Sequence, residues 1–362
     1  MTDKIQTVTG FINKDFLKIV DCHIHFLFTL SPDLRSVNYD NSRTINVSAN
    51  KVTGNFDQDK GPVRIESSSG ELKTFFKREL FRFLSAGGNG LVDCTPYGCG
   101  RDGKMLSKLS AETGVNIVAV TGFHKDIFYK QDSEIWKLKS DDAADFFINE
   151  IKDSLFECRT ISSKNSGITA TRNSKRAGVI KLAYNRKLYG KYLELSEAVV
   201  NASLETGAPL LVHTDQGINV EELVTFLEKS GINPENVLLS HMDKRVDFGL
   251  HRSLAQSGYF LEYDTFLREK YFPEKNLWPL LEKMAKEGYG NKVIAATDIA
   301  NSLLWKETAR SECGLAGFFQ KIASRLRSLE VAEDTISMII GGNAADFLCL
   351  KERKHKNSGT KI

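Results

Sequence analysis

The feature that most constrains this chain is a rhythm of short apolar runs alternating with helix-like stretches. Eight runs read as strands: 18–25, 90–95, 116–121, 178–182, 209–213, 237–241, 259–263 and 292–298. Between most of them lie helical patterns, at 105–113, 192–206, 220–230, 249–257 and 278–288. Several end at a glycine placed to close a helix: Gly114, Gly207, Gly231, Gly258 and Gly288. Nearly continuous apolar strands separated by helices mean a parallel sheet covered by helices. Eight such units predict a (β/α)8 TIM barrel, an α/β fold with parallel central strands. A doubly wound sheet would more often open with a Gly-x-Gly-x-x-Gly turn after its first strand. This first strand ends in His23-Ile24-His25 instead.

The remaining segments fit around that frame. Residues 5–13 read as a short N-terminal β-hairpin turning at Thr9-Gly10, outside the main repeat. Residues 29–72 are polar and lack periodicity, and read as a long loop or insertion. A helix is expected from Ser69 to Leu84, and more helix over 322–350. One barrel domain, residues 1–350, is predicted, followed by a basic solvated tail at 351–362.

In such barrels the chemistry gathers at the C-terminal ends of the strands. Strand one ends in His23 and His25, which are two apart and so share a face. Strand five ends in His213, strand six in His241 and strand eight in Asp298. Four of the seven histidines thus fall at strand ends. Strand four carries Lys181 within the run 177–185. A lysine there is either paired, or lies with its head in water, or has a depressed pKa. A neutral amine can take up carbon dioxide and become a carbamate, an anionic ligand able to bridge two ions.

The neighbouring strand ends decide for the carbamate. Nitrogen and hard-oxygen donors without cysteine suit Zn2+, Mn2+ or Co2+. Six protein ligands exceed what one catalytic zinc takes, and suit two divalent metal ions about 3.5–4 Å apart. One would take His23, His25 and Asp298, the other His213 and His241, with carboxylated Lys181 between them. Such a pair acidifies a shared water, and Asp298 is the candidate acid-base residue.

As a set, His23-x-His25, Gly178-Val179-Ile180-Lys181, Thr206-Gly207-Ala208-Pro209 followed by His213, Ser240-His241-x-Asp243 and Asp298 resemble the phosphotriesterase-related branch of the amidohydrolase superfamily. Val92-Asp93 with Gly100-Arg101-Asp102, Ala119-Val120-Thr121-Gly122 and Gly342-Asn343-Ala344-Ala345-Asp346-Phe347 extend the resemblance over nearly the whole chain. It implies a binuclear zinc hydrolase on a distorted barrel, acting on organophosphate triesters, lactones or carboxylic esters, and suggests a homodimer. The chain departs from the phosphotriesterases proper after strand seven, where Asp264-Thr265 replaces an Asp-His pair. After the strand-six histidine, Asp243-Lys244-Arg245 replaces a run of aspartates. An ester or lactone hydrolase is therefore expected first. A triester hydrolase, an amidase on the same metals and an idle metal-binding barrel are the alternatives.

Substrate contacts are expected from the segments that follow the strands. His124 either hydrogen-bonds the substrate or is an ordinary loop histidine. Asp264 either positions a metal ligand, touches the substrate or is structural. Arg101, Lys125, Arg186, Lys187, Lys244, Arg245, Arg268 and Lys270 are each ordinary loop charges taken singly. Together they predict a locally positive mouth and an anionic substrate, such as a sugar lactone bearing phosphate or carboxylate. Arg186, Arg245 and Arg268 are the candidate grips.

The overall balance adds exclusions. A net charge of +3 with no basic-aromatic stripe does not point to nucleic acid, and no run reaches membrane-span length. The N-terminal residues lack the apolar core of a signal peptide. Six scattered cysteines without a C-x-x-C pair predict free thiols in the cytoplasm.

Overall fold

The computed structural model describes residues 3–27, 45–48, 51–53, 65–66, 69–129, 133–158, 175–300 and 314–351. Eight parallel strands form one sheet. In chain order they are β3 (Ile19–Ile24), β7 (Gly88–Asp93), β8 (Asn116–Gly122), β9 (Ala177–Ala183), β10 (Leu210–His213), β11 (Val237–Ser240), β12 (Phe260–Tyr263) and β13 (Val293–Ala295). Each pairs with the next, so the sheet order is the chain order. Between the last strand and the first there is one bridge, Ile24 with Ile299, where the His25 N–H donates to the Ile299 carbonyl at 2.8 Å. The sheet thus curls into a nearly closed (β/α)8 barrel.

Helices cover the outside: α1 (Ser69–Ser85), α2 (Gly103–Thr113), α3 (Ser140–Lys152), α4 (Gly190–Thr206), α5 (Val220–Lys229), α6 (Phe248–Ser257) and α7 (Leu277–Lys286). The barrel interior is packed by side chains two apart on successive strands. Val20 and Cys22, Val92 and Cys94, and Val118 and Val120 join Val179, Leu211, Leu238, Phe260 and Ile294 in one buried cluster. The C-terminal helix Asn343–Leu348 adds Ala344, Phe347 and Leu348 to the same cluster. No helix among the described residues is long and apolar enough to cross a membrane.

Four expectations are revised. The hairpin of β1 (Lys4–Thr7) and β2 (Gly10–Asn13) turns at Val8 and Thr9, because Thr7 pairs with Gly10. The hairpin is also part of the barrel's packing: Ile5 is fully buried in the interior cluster, and the Gln6 amide donates to the carbonyls of Ile151 and Ala177. The stretch expected as plain loop contains β4 (Ile45–Ser48), β5 (Lys51–Thr53) and β6 (Ile65–Glu66), a small separate sheet. The C-terminal helical region begins earlier than expected, at Gly314, and is broken into Gly314–Ser328, Glu333–Ser337, a π-turn Met338–Gly342 and Asn343–Leu348. The expected basic tail lies outside the described residues beyond Lys351.

Where β3 meets β7, Asp21 pairs with Leu91 and Ile24 with Asp93, so β3 spends three residues where β7 spends two. That bulge shifts the side-chain alternation. Val20 and Cys22 face the interior low on the strand, and the extra residue turns His23 and His25 to the same side at its end. Gly122 closes β8 at φ +92°, and a Cβ there would lie 2.0 Å from the Lys181 carbonyl oxygen. Backbone strain and a backbone clash act together, so Gly122→Ala is expected to cost more than ~3 kcal/mol. Gly114→Ala, also at positive φ but in open space, is expected to cost only ~1 kcal/mol. Urea unfolding of the two variants checks the contrast.

Candidate metal centre

At the C-terminal ends of the strands the side chains converge. His23, His25 and Asp298 are all buried, and one potential ligand atom from each lies within 4.8 Å of the others. His23 Nε2 is 3.7 Å from Asp298 Oδ1. Across the same space His241 Nε2 and His213 Nδ1 are 2.9 Å apart. The His23 and His241 ring centroids are 5.1 Å apart, which makes this one site. Lys181 is fully buried on β9, two residues beyond Val179, with its Nζ donating to the Cys94 carbonyl at 2.8 Å. Burial pulls the Lys181 ammonium below its ordinary pKa.

The backbone bends to deliver two of these groups. His241 stands one residue beyond β11 at φ 65°, and Asp298 three residues beyond β13 at φ 44°. Both are in the left-handed region that residues with a Cβ enter at a cost. Such outliers persist where surrounding contacts over-determine them, and both residues here are held by hydrogen bonds.

His23, His25 and His241 are each oriented by a partner on Nδ1. Glu262 Oε1 meets His23 Nδ1 at 2.6 Å, and Asp264 Oδ2 meets His241 Nδ1 at 2.6 Å. Thr95 Oγ1 meets His25 Nδ1 at 2.9 Å and donates onward to Asp93 Oδ1 at 2.8 Å. These contacts fix each ring and leave the opposite nitrogen of His23 and His25 for an ion. His23, His241, Glu262 and Asp264 also form a cluster with metal-ligand spacing. There the carboxylates are already engaged with Nδ1 atoms, so they act as orienting partners.

Burial keeps the imidazoles neutral, the form that binds a cation. It lowers His23 to about 3, and pushes His25, His124 and His213 well below the usual value. Burial alone would raise Asp298, but Arg268, His23 and His241 together hold it below the ordinary carboxylate value. Neutral nitrogens, an ionised carboxylate and a lysine with a depressed pKa are a donor set that fits divalent metal ions.

The other candidates divide by position. His124 stacks over His25 at 6.4 Å and lies 5.1 Å from His213, and its Nδ1 accepts the Lys125 N–H. Arg268 Nη2 donates to Asp298 Oδ2 at 2.6 Å. Asp264 lies fully buried behind His241, where it holds the ring and the His241 N–H. Arg186 pairs with Asp215, which Lys125 shares. Arg245 makes a two-pronged pair with Glu221. Arg101 is buried between Glu150 and Glu157, so it adds no charge to the mouth. Sequence reading missed Glu262 and Thr95. Glu262 carried the same signal as Lys181, a single charge inside an apolar run.

The sequence profile of the Phosphotriesterase family matches residues 3–348. A phospho-furanose lactonase of Mycoplasmopsis synoviae is 26% identical over 97% of this chain and 93% of its own length. An aryldialkylphosphatase of Saccharolobus solfataricus is 27% identical over 72% of this chain and 76% of its own. The fold matches that of a crystallised lactonase from Listeria monocytogenes, with a TM-score of 0.75 at 20% identity, covering 96% of this chain and all of that one.

Two outcomes follow from the geometry. Glu262→Ala is expected to weaken metal affinity about 10–100-fold, read by titration against a chelator. In chelator-treated protein, six histidines have pKa values held below the unfolded 6.5 by burial: His23, His25, His124, His213, His241 and His251. The unfolded chain therefore takes up protons first as pH falls through 6.5. Four carboxylates raised by burial, Asp21, Asp93, Asp243 and Glu262, act oppositely but are fewer. Unfolding free energy is expected to fall as pH drops from about 6.5 to 4, checked by urea melts at stepped pH. The chain belongs to the Phosphotriesterase family.

Proposed function

We propose that this protein is a binuclear metal-dependent hydrolase of lactones or carboxylic esters, acting on an anionic sugar lactone that bears phosphate or carboxylate. The observation that carries the reading is the convergence of His23, His25, Asp298, His213 and His241 around buried Lys181. Family membership supports a hydrolase, and the phospho-furanose lactonase relative supports a lactone as substrate. Free thiols at Cys22, Cys94, Cys99, Cys158 and Cys349 support a cytoplasmic setting.

His23, His25 and Asp298 would hold one ion and His213 and His241 the other, with carboxylated Lys181 as a further ligand. Two such ions, zinc by preference, would supply an acidified water and a polarised carbonyl when bound. Asp298 offers Oδ1 beside His23 and takes the proton at Oδ2, where Arg268 keeps the carboxylate ionised. It then passes that proton to the departing alkoxide. His124, beside His25 and His213, contacts the bound substrate.

The negative group of the substrate is matched by Arg268 and Lys244 in preference to the more exposed cations. Arg268 is half-buried, with 18% of its side chain exposed, and its buried Nε–H is unpartnered, a donor left over at the site. Lys244 has 8% of its side chain exposed, and its Nζ lies 3.6 Å from Asp264 Oδ1 and 5.3 Å from the Tyr271 ring centroid. Arg186 and Arg245 have 55% and 32% of their side chains exposed, where water screens their charge, so they contribute less than sequence reading expected. A neutral organophosphate triester, the class that the name of the aryldialkylphosphatase relative points to, makes no use of these two cations.

The test compares matched neutral and phosphorylated lactones. The phosphorylated one is expected to have at least ~10-fold higher kcat/KM, a gap that shrinks only partly as salt rises, because charges shielded from solvent are screened little. Arg268→Met is expected to erase most of the difference. Equal kcat/KM for the pair, insensitive to salt, overturns the anionic-substrate reading.

A further inference from the structure

The weakest junction of the barrel lies between β13 and β3, where no ladder forms among the described residues and Ile24 with Ile299 is the one bridge. This seam separates the two halves of one proposed metal site: His23 and His25 come from its β3 side, Asp298 from its β13 side. β13 ends at Ala295, and the chain then runs through Thr297 to the left-handed Asp298. Its register against β3 has to be fixed by something other than strand pairing.

Asp21 occupies that place. It is fully buried on β3, two residues before His23. Its Oδ1 accepts the His23 N–H at 3.1 Å and the Thr297 N–H at 3.2 Å. Its Oδ2 accepts the Thr297 hydroxyl at 2.6 Å. One carboxylate therefore grips the residue next to Asp298 and the backbone of His23 at once. The three donors are buried polar groups that need an acceptor, and no ladder between β13 and β3 supplies one among the described residues.

We propose that Asp21 is a positioning residue that sets the span between His23 and Asp298, and so the affinity of the ion they share. The inference rests on the metal reading of the site given above. It does not require that the substrate be a lactone. Asparagine in its place keeps Oδ1 for both N–H groups, and its amide can donate to the Thr297 oxygen. Alanine supplies none of these contacts. Thr297→Val removes only the hydroxyl contact, and Thr297→Ser keeps it.

The experiment titrates Zn2+ against a chelator into metal-stripped wild type, Asp21→Asn, Asp21→Ala, Thr297→Val and Thr297→Ser. The wild type is expected to bind two ions. Asp21→Ala should keep one ion at wild-type affinity and bind the other about 10–100-fold more weakly, the scale for losing an outer hydrogen-bond partner. Asp21→Asn and Thr297→Ser should recover most of that loss, and Thr297→Val should show part of it. If Asp21→Ala does not fold, the two Thr297 variants carry the decision. Wild-type affinity for both ions in Asp21→Ala, or in Thr297→Val where that variant decides, overturns the assignment alone. Equal weakening of both ions, with no recovery in the conservative variants, also overturns it. A wild-type protein that holds no ion overturns the metal reading and this assignment together. Two bound ions without lactone hydrolysis overturn only the substrate reading.

Discussion

The site depends on one constraint: a buried backbone N–H must find an acceptor. Side chains that converge on a point need strands that splay and curl at their ends, and curling breaks the ladder that would satisfy those groups. Here aspartates take over where the ladder stops. Asp21 accepts from Thr297, Asp264 from the His241 N–H at 3.0 Å, Asp243 from the Thr265 N–H at 2.9 Å, and Asp93 from the Phe26 N–H at 3.4 Å. Each joins one strand end to the next around the rim. The same carboxylates lie beside the histidines, so the groups that finish the barrel also aim its ligands.

A site built this way concentrates charge in a low-dielectric space, where unpaired ions are costly. Its nitrogens stay neutral because burial forbids their protonation. The carboxylates do not behave alike. Asp264 lies between His241 and Lys244 and is held well below its ordinary value. Glu262, two residues earlier on β12, is pushed well above it by burial and then by Asp264, Asp298 and Asp21. Lys181 faces the same burial with only a carbonyl to accept from it. Burial lowers its pKa, and on the proposed reading that amine takes up carbon dioxide and becomes a ligand.

Much of this was legible in the sequence, for physical reasons. A lysine inside an apolar strand and histidines at matching strand ends break binary patterning, and such breaks mark sites. The strand–helix rhythm was legible because each element carries its own local signal. The β3 bulge was not, since an extra residue in Asp21-Cys22-His23 leaves the apolar run looking continuous. Glu262 was passed over because attention fell on the last residue of each strand, while His23 draws its partner from within β12. The ion pairs of Arg245 with Glu221 and of Arg186 with Asp215 join positions 24 and 29 residues apart, a distance at which sequence spacing says nothing.

Those ion pairs change how the mouth acts on a substrate. A rim of free cations would draw in any anion through a long-range field that salt screens. Here Asp215 neutralises one of two cations and Glu221 neutralises Arg245, so the rim field is weak. Arg268 and Lys244 lie deeper, each beside a buried carboxylate and shielded from solvent. Charge placed there acts over a few ångströms, on a group already in the site and stripped of water. On the proposed reading, selection between anionic and neutral substrates falls mainly on the bound complex. Arg268 would couple that selection to Asp298, because one guanidinium touches the carboxylate assigned to accept the proton and also presents an unused donor.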